Sequence, residues 1–185
     1  MYPLKFEPYL REMVWGGEKI APFKGIKTKQ HHIGESWEIS AVPGHVSTIA
    51  NGPLAGKSLT DVMNEYGPEL VGRKVFAKTG TEFPLLIKFI DAKSDLSIQV
   101  HPNDELAEKT HPGMKGKTEM WYVLDAKPGS YLYCGFKTKI SKEEYKRRIA
   151  DGTITDVLAR HEVKAGDVFY IPAGRVHAIC SGIML

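Results

Sequence analysis

Residues 83–104 read FPLLIKFIDAKSDLSIQVHPND, and they carry the strongest structural signal in the chain. Near the end of this stretch apolar and polar residues alternate, and Gln99 and His101 stand two positions apart. In a β-strand this spacing directs both side chains to one face, while the intervening apolar residues point to the other face. We therefore predict two β segments, Pro84–Asp91 and Leu96–His101, with a polar face at the end of the second.

Two more side chains of ligand type follow in β-like runs. Glu119 lies in KTEMWYVL, and His177 lies in GDVFYIPAGRVHAI. Together with Gln99 and His101 they would offer a divalent ion two imidazole nitrogens, one carboxylate and one amide oxygen. Such a set leaves coordination positions for water or substrate, so it favours a catalytic metal over a structural one.

The pair Gln99 and His101 is not sufficient evidence by itself. A histidine on a strand is more often a hydrogen-bonded core residue, and a neighbouring glutamine is more often its partner. The metal interpretation therefore depends on Glu119 and His177.

Five motifs in a fixed order carry a family resemblance: GESWEIS at Gly34–Ser40, then FPLLIKFIDA, LSIQVHPND, KTEMWYVL and PAGRVHAI. In this order and with these gaps, the sequence resembles the type I mannose-6-phosphate isomerases, which are metal-dependent phosphomannose isomerases of the cupin superfamily. The similarity runs from VWGG at Val14–Gly17 onward and covers nearly the whole chain.

A second pattern agrees with this resemblance. Gly166, Pro172, Gly174 and His177 fit the spacing G-x5-P-x-G-x2-H of the second cupin motif. The first cupin motif has His-x-His, and this chain has Gln-x-His in its place. That replacement is more similar to the isomerase family than to the average cupin.

The resemblance implies a fold, a cofactor and a reaction. The fold would be mainly β, a cupin jelly-roll β-sandwich with short helical insertions, formed by residues 1–185 as one metal-binding domain. One zinc ion per chain is implied, although the ligand set also suits other divalent transition metals. The reaction would interconvert mannose 6-phosphate and fructose 6-phosphate through a cis-enediol. Two alternatives stay open: a non-catalytic cupin that binds a sugar or sugar phosphate, and a cupin isomerase or epimerase acting on another sugar.

Three further residues are candidates for the substrate site. Lys117 would share a face with Glu119 if the strand starts that early. The family carries a lysine here that lines the site, so the resemblance implies a catalytic residue that hydrogen-bonds a sugar hydroxyl or helps to shuttle the proton; a solvated loop lysine is the alternative. Trp15 matches a family tryptophan near the substrate cleft, or else is an ordinary packing residue. Ser97 shares the face of Gln99 and is a candidate for contact with the substrate.

The remaining histidines carry less weight. His31 and His32 are adjacent in a polar stretch, which is typical of a surface loop, and His45 and His161 are predicted to be exposed. His111 lies in a loop that could rim the cleft.

Composition excludes several function classes. The 185 residues suffice for one well-buried domain, and 25 basic against 22 acidic residues give a net charge of +3 without a basic block, which excludes a nucleic-acid partner. Cys134 and Cys180 lie in apolar runs without CxxC spacing, so we predict buried thiols. The N-terminus has neither a signal peptide nor a membrane span, so we expect a cytoplasmic location. The oligomeric state stays open.

The last ten residues, VHAICSGIML, form an apolar run without a following turn signal. We therefore expect this chain to be a portion of a longer protein. The resemblance places an arginine that contacts the reacting sugar in a β-rich segment beyond Leu185. It follows that the 185-residue chain alone would have little isomerase activity.

Other elements are predicted from local patterns. A helix should begin after Ser58 and run to Gly67-Pro68, and a second should follow Ser141, which forms a capping box with Glu144. We also predict a loop over Asp104–Lys117, and a helical turn over Thr155–Arg160. The remaining predictions are strands. Met120–Leu124 would pair with Ser130–Gly135 across a turn at Lys127-Pro128-Gly129, and Val163–Ile171, broken at Ala165-Gly166-Asp167, and Val176–Met184 would follow.

Overall fold

The computed structural model describes residues 1–185 and consists of ten strands, five helices and two short 3-10 helices. The strands are β1 Tyr9–Gly17, β2 Ile33–Ile39, β3 Ile87–Ala92, β4 Glu119–Tyr122, β5 Asp125–Ala126, β6 Tyr131–Phe136, β7 Leu158–Glu162, β8 Val168–Ile171, β9 His177–Ile179 and β10 Ile183–Met184. The helices are α1 Ile20–Lys24, α2 Leu59–Leu70, α3 Arg73–Thr79, α4 Asp104–Thr110 and α5 Lys142–Ala150. The predicted mainly β architecture with short helical insertions is confirmed.

The chain forms two compact units. The first unit comprises Met1–Val14 and Glu18–Ile90, and the second comprises Trp15–Gly17 and Asp91–Leu185. All the predicted metal ligands lie in the second unit.

In the first unit, β2 pairs with β1 and with the first residues of β3. Helix α2 covers the core with Leu59, Val62 and Met63, which are buried. It begins where the sequence predicts: Ser58 and Asp61 form a reciprocal capping box, in which each side chain accepts a hydrogen bond from the other's backbone N–H. The helix kinks at Tyr66, just before Pro68, because proline cannot donate the intrahelical hydrogen bond.

A buried carboxylate holds β1, β2 and β3 together in the first unit. Glu35 is 6% exposed and accepts hydrogen bonds from Lys88 at 2.6 Å, Trp37 at 2.8 Å and Arg11 at 3.0 Å. Burial alone would raise the pKa of Glu35, but the hydrogen bond and charge of Lys88, with help from Trp37 and Arg11, hold it below its ordinary value. Glu35 is therefore a charged core residue with its hydrogen-bond partners in place.

In the second unit, β6 pairs with β7 on one side and β9 on the other, β4 pairs with β8, and β10 pairs with β5 and the end of β3. The second glycine of VWGG, Gly17, has a packing reason here. A Cβ on Gly17 would lie 2.1 Å from a carboxylate oxygen of the buried Asp91, so no side chain fits at that position.

The predicted pairing of Met120–Leu124 with Ser130–Gly135 is wrong. The first segment becomes β4, whose residues Glu119 and Tyr122 lie opposite Ile171 and Val168 of β8. The second becomes β6, which pairs with β7 and β9. The intervening turn at 127–129 does not close a hairpin, because it follows β5, and β5 pairs with β10.

Two other local predictions need correction. The predicted loop Asp104–Lys117 contains helix α4, whose N-cap Asn103 accepts a hydrogen bond from the backbone N–H of Leu106 at 2.9 Å. The predicted helical turn over Thr155–Arg160 is a 3-10 helix only as far as Val157, and β7 begins at Leu158 because its residues pair with β6. The helix after Ser141 is confirmed as α5, although only the Ser141 half of the predicted capping box is present.

The prediction of buried thiols is confirmed for Cys180 and only in part for Cys134. Cys134 and Cys180 form no disulfide; Cys180 is buried, Cys134 is half-buried, and burial raises the pKa of the Cys180 thiol to about 11. The apolar run that ends at Leu185 is buried as β9 and β10, which are joined by a turn with Gly182 at φ 87°. No helix in the structure has the length and apolar character needed to cross a membrane.

Candidate metal centre

The segment around Gln99 runs beside β9. Gln99 and His177 exchange both backbone hydrogen bonds, each 2.9 Å long, and so lie directly opposite each other in an antiparallel bridge. Directly opposed residues project their side chains to the same face, and His101, two positions further, follows Gln99 onto it. The predicted strand over Leu96–His101 is therefore only partly formed, since Gln99 alone has a ladder partner, but its alternation positions the site.

Three side chains converge at this face. His101, Glu119 and His177 come from the Gln99 segment, β4 and β9, and their ligand atoms all lie within 4.8 Å of one another. Nε2 of His177 is 3.3 Å from Oε2 of Glu119, and Nε2 of His101 is 3.7 Å from the same oxygen. The three residues that the sequence separates widely thus form one group.

A backbone carbonyl sets which nitrogen of His177 carries the proton. Nδ1 of His177 lies 2.8 Å from the carbonyl oxygen of Arg175. A carbonyl only accepts, so Nδ1 carries the proton and donates it, and in the neutral ring Nε2 keeps its lone pair. That lone pair is the one directed at Glu119, as a metal ligand requires.

The two oxygens of Glu119 have different partners. Oε2 is the oxygen nearest both histidines, whereas Oε1 accepts a hydrogen bond from Nζ of Lys117 at 2.9 Å. Burial alone would raise the pKa of Glu119, but the hydrogen bond and charge of Lys117 hold it below its ordinary value. Glu119 is therefore ionised at neutral pH, with one oxygen facing the imidazoles.

This group fits a divalent transition metal. Two ligands of a tetrahedral zinc ion are about 3.4 Å apart when the bonds are about 2.0–2.2 Å long, and the two separations from Glu119 are 3.3 and 3.7 Å. Imidazole and carboxylate donors suit zinc and its neighbours in the first transition row. The His101, Glu119 and His177 side chains could hold such an ion with small adjustments.

Gln99 lies beside this group but makes another contact. Its side chain is exposed, and Nε2 donates a hydrogen bond to Oγ of Ser97 at 3.1 Å; the predicted ligand role would use the amide oxygen. Ser97 is exposed on the same side, as the sequence predicts. The roles of Gln99 in metal binding and of Ser97 in substrate binding stay predictions.

Lys117 and Trp15 occupy different positions. Lys117 lies just before β4, which begins at Glu119, so its place beside the site comes from the ion pair with Glu119 and from its backbone hydrogen bond to Pro102, not from the strand. The half-buried Trp15 accepts backbone hydrogen bonds from Lys93 and Ser94. The substrate-binding roles of Lys117 and Trp15 stay predictions.

The other histidines lie at the surface, as predicted. His31 and His32 are exposed within 4.0 Å of Glu18, and His45 is exposed and stacks on Tyr9. The remaining two exposed histidines contact residues outside the group: His111 pairs with Thr110, and His161 contacts Phe169.

One side chain that contacts the site, Trp121, was not predicted from the sequence. Trp121 is buried, and its ring meets the His177 ring edge to face at 5.3 Å between centroids. The available signal was its position, two residues after Glu119 and hence on the same face of β4. A run in which both Trp121 and Tyr122 are aromatic does not show which of them points inward.

Known proteins resemble the chain over its whole length. Residues 4–145 match the family model of phosphomannose isomerase type I, catalytic domain. A probable mannose-6-phosphate isomerase of Bacillus subtilis, GmuF, is 41% identical over 184 residues, which cover 100% of this chain and 56% of the relative. The crystal structure of the mannose 6-phosphate isomerase from Bacillus subtilis superposes with a TM-score of 0.88 at 38% identity, covering 100% of this chain and 57% of that one.

A more distant structure shares the fold. A zinc-bound mannose 6-phosphate isomerase superposes with a TM-score of 0.72 at 18% identity, over 98% of this chain and 66% of that one. These likenesses confirm the predicted cupin fold class. The chain spans just over half the length of the curated relatives it matches.

Proposed function

The chain belongs to the type I phosphomannose isomerase family, and from that premise we propose that it carries the metal centre of an enzyme that interconverts mannose 6-phosphate and fructose 6-phosphate. The observation that supports this proposal most directly is the convergence of His101, Glu119 and His177 within 4.8 Å. Isomerases of this kind need such a centre, because negative charge grows on a sugar oxygen as the proton moves between C1 and C2.

We assign four ligands to the centre: His101, Glu119 and His177, with the amide oxygen of Gln99 as the fourth. One carboxylate and three neutral ligands leave a dication about one unit positive, so its Lewis acidity is kept. Zinc is the proposed ion, since the donor set suits it and a related mannose 6-phosphate isomerase structure is zinc-bound. When bound, the ion supplies stabilisation of negative charge on the reacting sugar oxygens.

The protein's own side chains would do the remaining work. Lys117 contacts Glu119 at 2.9 Å, and its half-exposed side chain would donate to a sugar hydroxyl or pass a proton. Ser97 and Gln99 offer hydroxyl and amide groups on the same face. Trp15 would provide an apolar wall for the sugar.

A coupled assay on mannose 6-phosphate tests the proposal. The purified chain is stripped with a chelator, reloaded with zinc, and compared with a Glu119→Gln variant handled identically. We expect slow conversion that disappears with chelation, returns with zinc, and is absent in the variant. Zinc-loaded chain with no more conversion than Glu119→Gln would contradict the proposed reaction.

The same samples separate the catalytic proposal from a binding function. The chain covers 56% of its relatives' length, so a sugar-phosphate site without turnover is the specific alternative. Calorimetry with mannose 6-phosphate measures binding independently of the assay. Zinc-dependent binding without conversion would favour the non-catalytic function.

A further inference from the structure

Trp121 packs against the least exposed member of the metal group. His177 is 3% exposed and Trp121 is 5% exposed, and their rings meet at 79° with 5.3 Å between centroids. The centroid of the His177 ring also lies 4.9 Å from that of the His101 ring. Two aromatic rings therefore contact the His177 imidazole, while Nδ1 faces the Arg175 carbonyl and Nε2 faces Glu119.

The hydrogen bond to Arg175 does not by itself fix the plane of the His177 ring. A single bond at Nδ1 restrains one atom, and the imidazole can still tilt about the axis through that atom and change the direction of the Nε2 lone pair. An edge-to-face contact with a large buried ring restrains this tilt, because such pairs prefer a defined interplanar angle.

The position of Trp121 in the β4–β8 ladder restrains its ring beside His177. Glu119 and Trp121 alternate with exposed residues along β4, and Trp121 lies opposite Phe169 in the ladder with β8. The same short strand thus carries a proposed metal ligand and the ring that packs on a second ligand. A displacement of Trp121 would therefore shift both Glu119 and His177.

We propose that Trp121 is a positioning residue that holds the imidazole of His177 in the orientation needed for metal binding. This inference rests on the proposed function, because it assigns His177 as a ligand. Removal of a side chain that orients a ligand costs about 10- to 100-fold in metal affinity in other metalloproteins.

The test uses three variants of the full chain, with Zn²⁺ and Co²⁺ as probes. W121L removes the ring, and W121F keeps a smaller ring. F169L is the control: Phe169 belongs to the same ladder, but the aromatic ring that it contacts is that of His161. Affinity is measured by competition with a chromophoric chelator, and the absorption spectrum of bound Co²⁺ reports the ligand geometry. Circular dichroism establishes that each variant is folded.

We expect W121L to bind Zn²⁺ about 10- to 100-fold more weakly with an altered Co²⁺ spectrum, and W121F to stay within about threefold of the unsubstituted chain. F169L should keep both its affinity and its spectrum. If W121L does not fold, W121M is judged by the same criteria, since methionine fills the space without a ring.

Two results would overturn the role of Trp121 without affecting the proposed metal centre. One is a W121L variant with the Zn²⁺ affinity and Co²⁺ spectrum of the unsubstituted chain. The other is an equal loss of Zn²⁺ affinity in F169L, which would attribute the effect to general packing of the ladder. Failure of the unsubstituted chain to bind either ion would instead overturn the proposed metal centre. The two failures are thereby distinguishable.

Discussion

Nε2 of His177 lies 3.3 Å from Oε2 of Glu119, although the two residues belong to different strands, β9 and β4. The proton on Nδ1 of His177 is engaged by the Arg175 carbonyl, and Oε1 of Glu119 is engaged by Lys117. Each side chain therefore presents one lone-pair-bearing atom to the same small space. A positive ion in that space would offset the electrostatic repulsion between these electron-rich atoms.

Substitution of Glu119 by glutamine should abolish tight metal binding. The change removes the only negative charge among the proposed ligands, and we expect Zn²⁺ affinity to fall by more than about 100-fold, since outer-shell changes alone cost about 10- to 100-fold. Chelator competition measures the loss. The matched control is Glu105→Gln in the first turn of α4, an exposed acid, which should leave affinity unchanged. Equal affinities in the two variants would remove Glu119 from the ligand set.

Substitution of Lys117 by methionine should make metal binding more sensitive to acid. Without Lys117, its hydrogen bond and charge no longer oppose the effect of burial, so the pKa of Glu119 rises and protons compete with the metal at a higher pH. The affinity ratio between the unsubstituted chain and Lys117→Met should therefore be larger at about pH 5.5 than at about pH 7.5. Lys109→Met, which removes a charge from the last turn of α4, provides the control. A ratio independent of pH would contradict the assigned role of the Lys117 hydrogen bond.

Glu35 should make the first unit sensitive to acid. Its folded pKa is below the ordinary 4.5, so its charge stabilises the fold at pH values above 4.5, and this stabilisation is lost as the pH falls through the folded value. Glu35→Gln should cost about 2 kcal/mol at neutral pH, less than a fully buried pair because Arg11 and Lys88 keep some contact with water. Urea unfolding at several pH values measures both effects. As the pH falls below 4.5, the free energy of unfolding should decrease less in Glu35→Gln than in the unsubstituted chain. Parallel plots of the free energy of unfolding against pH would contradict the assigned role of Glu35.

The two serine N-caps should contribute unequally to stability. Ser58 caps α2, whose buried Leu59 and Val62 belong to the core, whereas Ser141 caps α5, which has no buried residue. We expect Ser58→Ala to lower the free energy of unfolding by about 1 kcal/mol. Ser141→Ala should fray a surface helix with little effect on global unfolding. Similar losses in the two variants would show that α5 unfolds together with the core.

Local patterns predicted the site better than they predicted the sheets. The shared face of Gln99 and His101 follows from strand alternation, which depends on neighbours in sequence. The inclusion of His177 depended on its match to the spacing of the second cupin motif. The pairing of β4 with β8 depends on contacts between distant segments. The turn after β5 has the residues of a hairpin, but it leads the chain to a strand that pairs elsewhere.

Two elements of the second unit were not predicted, because residues next to them in the sequence favoured a different structure. Helix α4 has a clear start in Asn103 followed by two acidic residues, but the prolines and glycines that follow it favoured a loop. The strand character of Leu158–Arg160 was hidden because the preceding residues form a 3-10 turn. In both cases the residues that favoured the other structure lie only a few positions from the element that forms.

A crystal structure of the chain grown with Zn²⁺, with anomalous diffraction recorded at the zinc edge, would locate a bound ion without reference to activity. We expect one ion per chain, with bonds of about 2.0–2.2 Å to Nε2 of His101, Nε2 of His177 and a carboxylate oxygen of Glu119. An ion bound only at other residues, or no ion beside these three side chains in a folded chain at saturating zinc, would contradict the proposed metal centre.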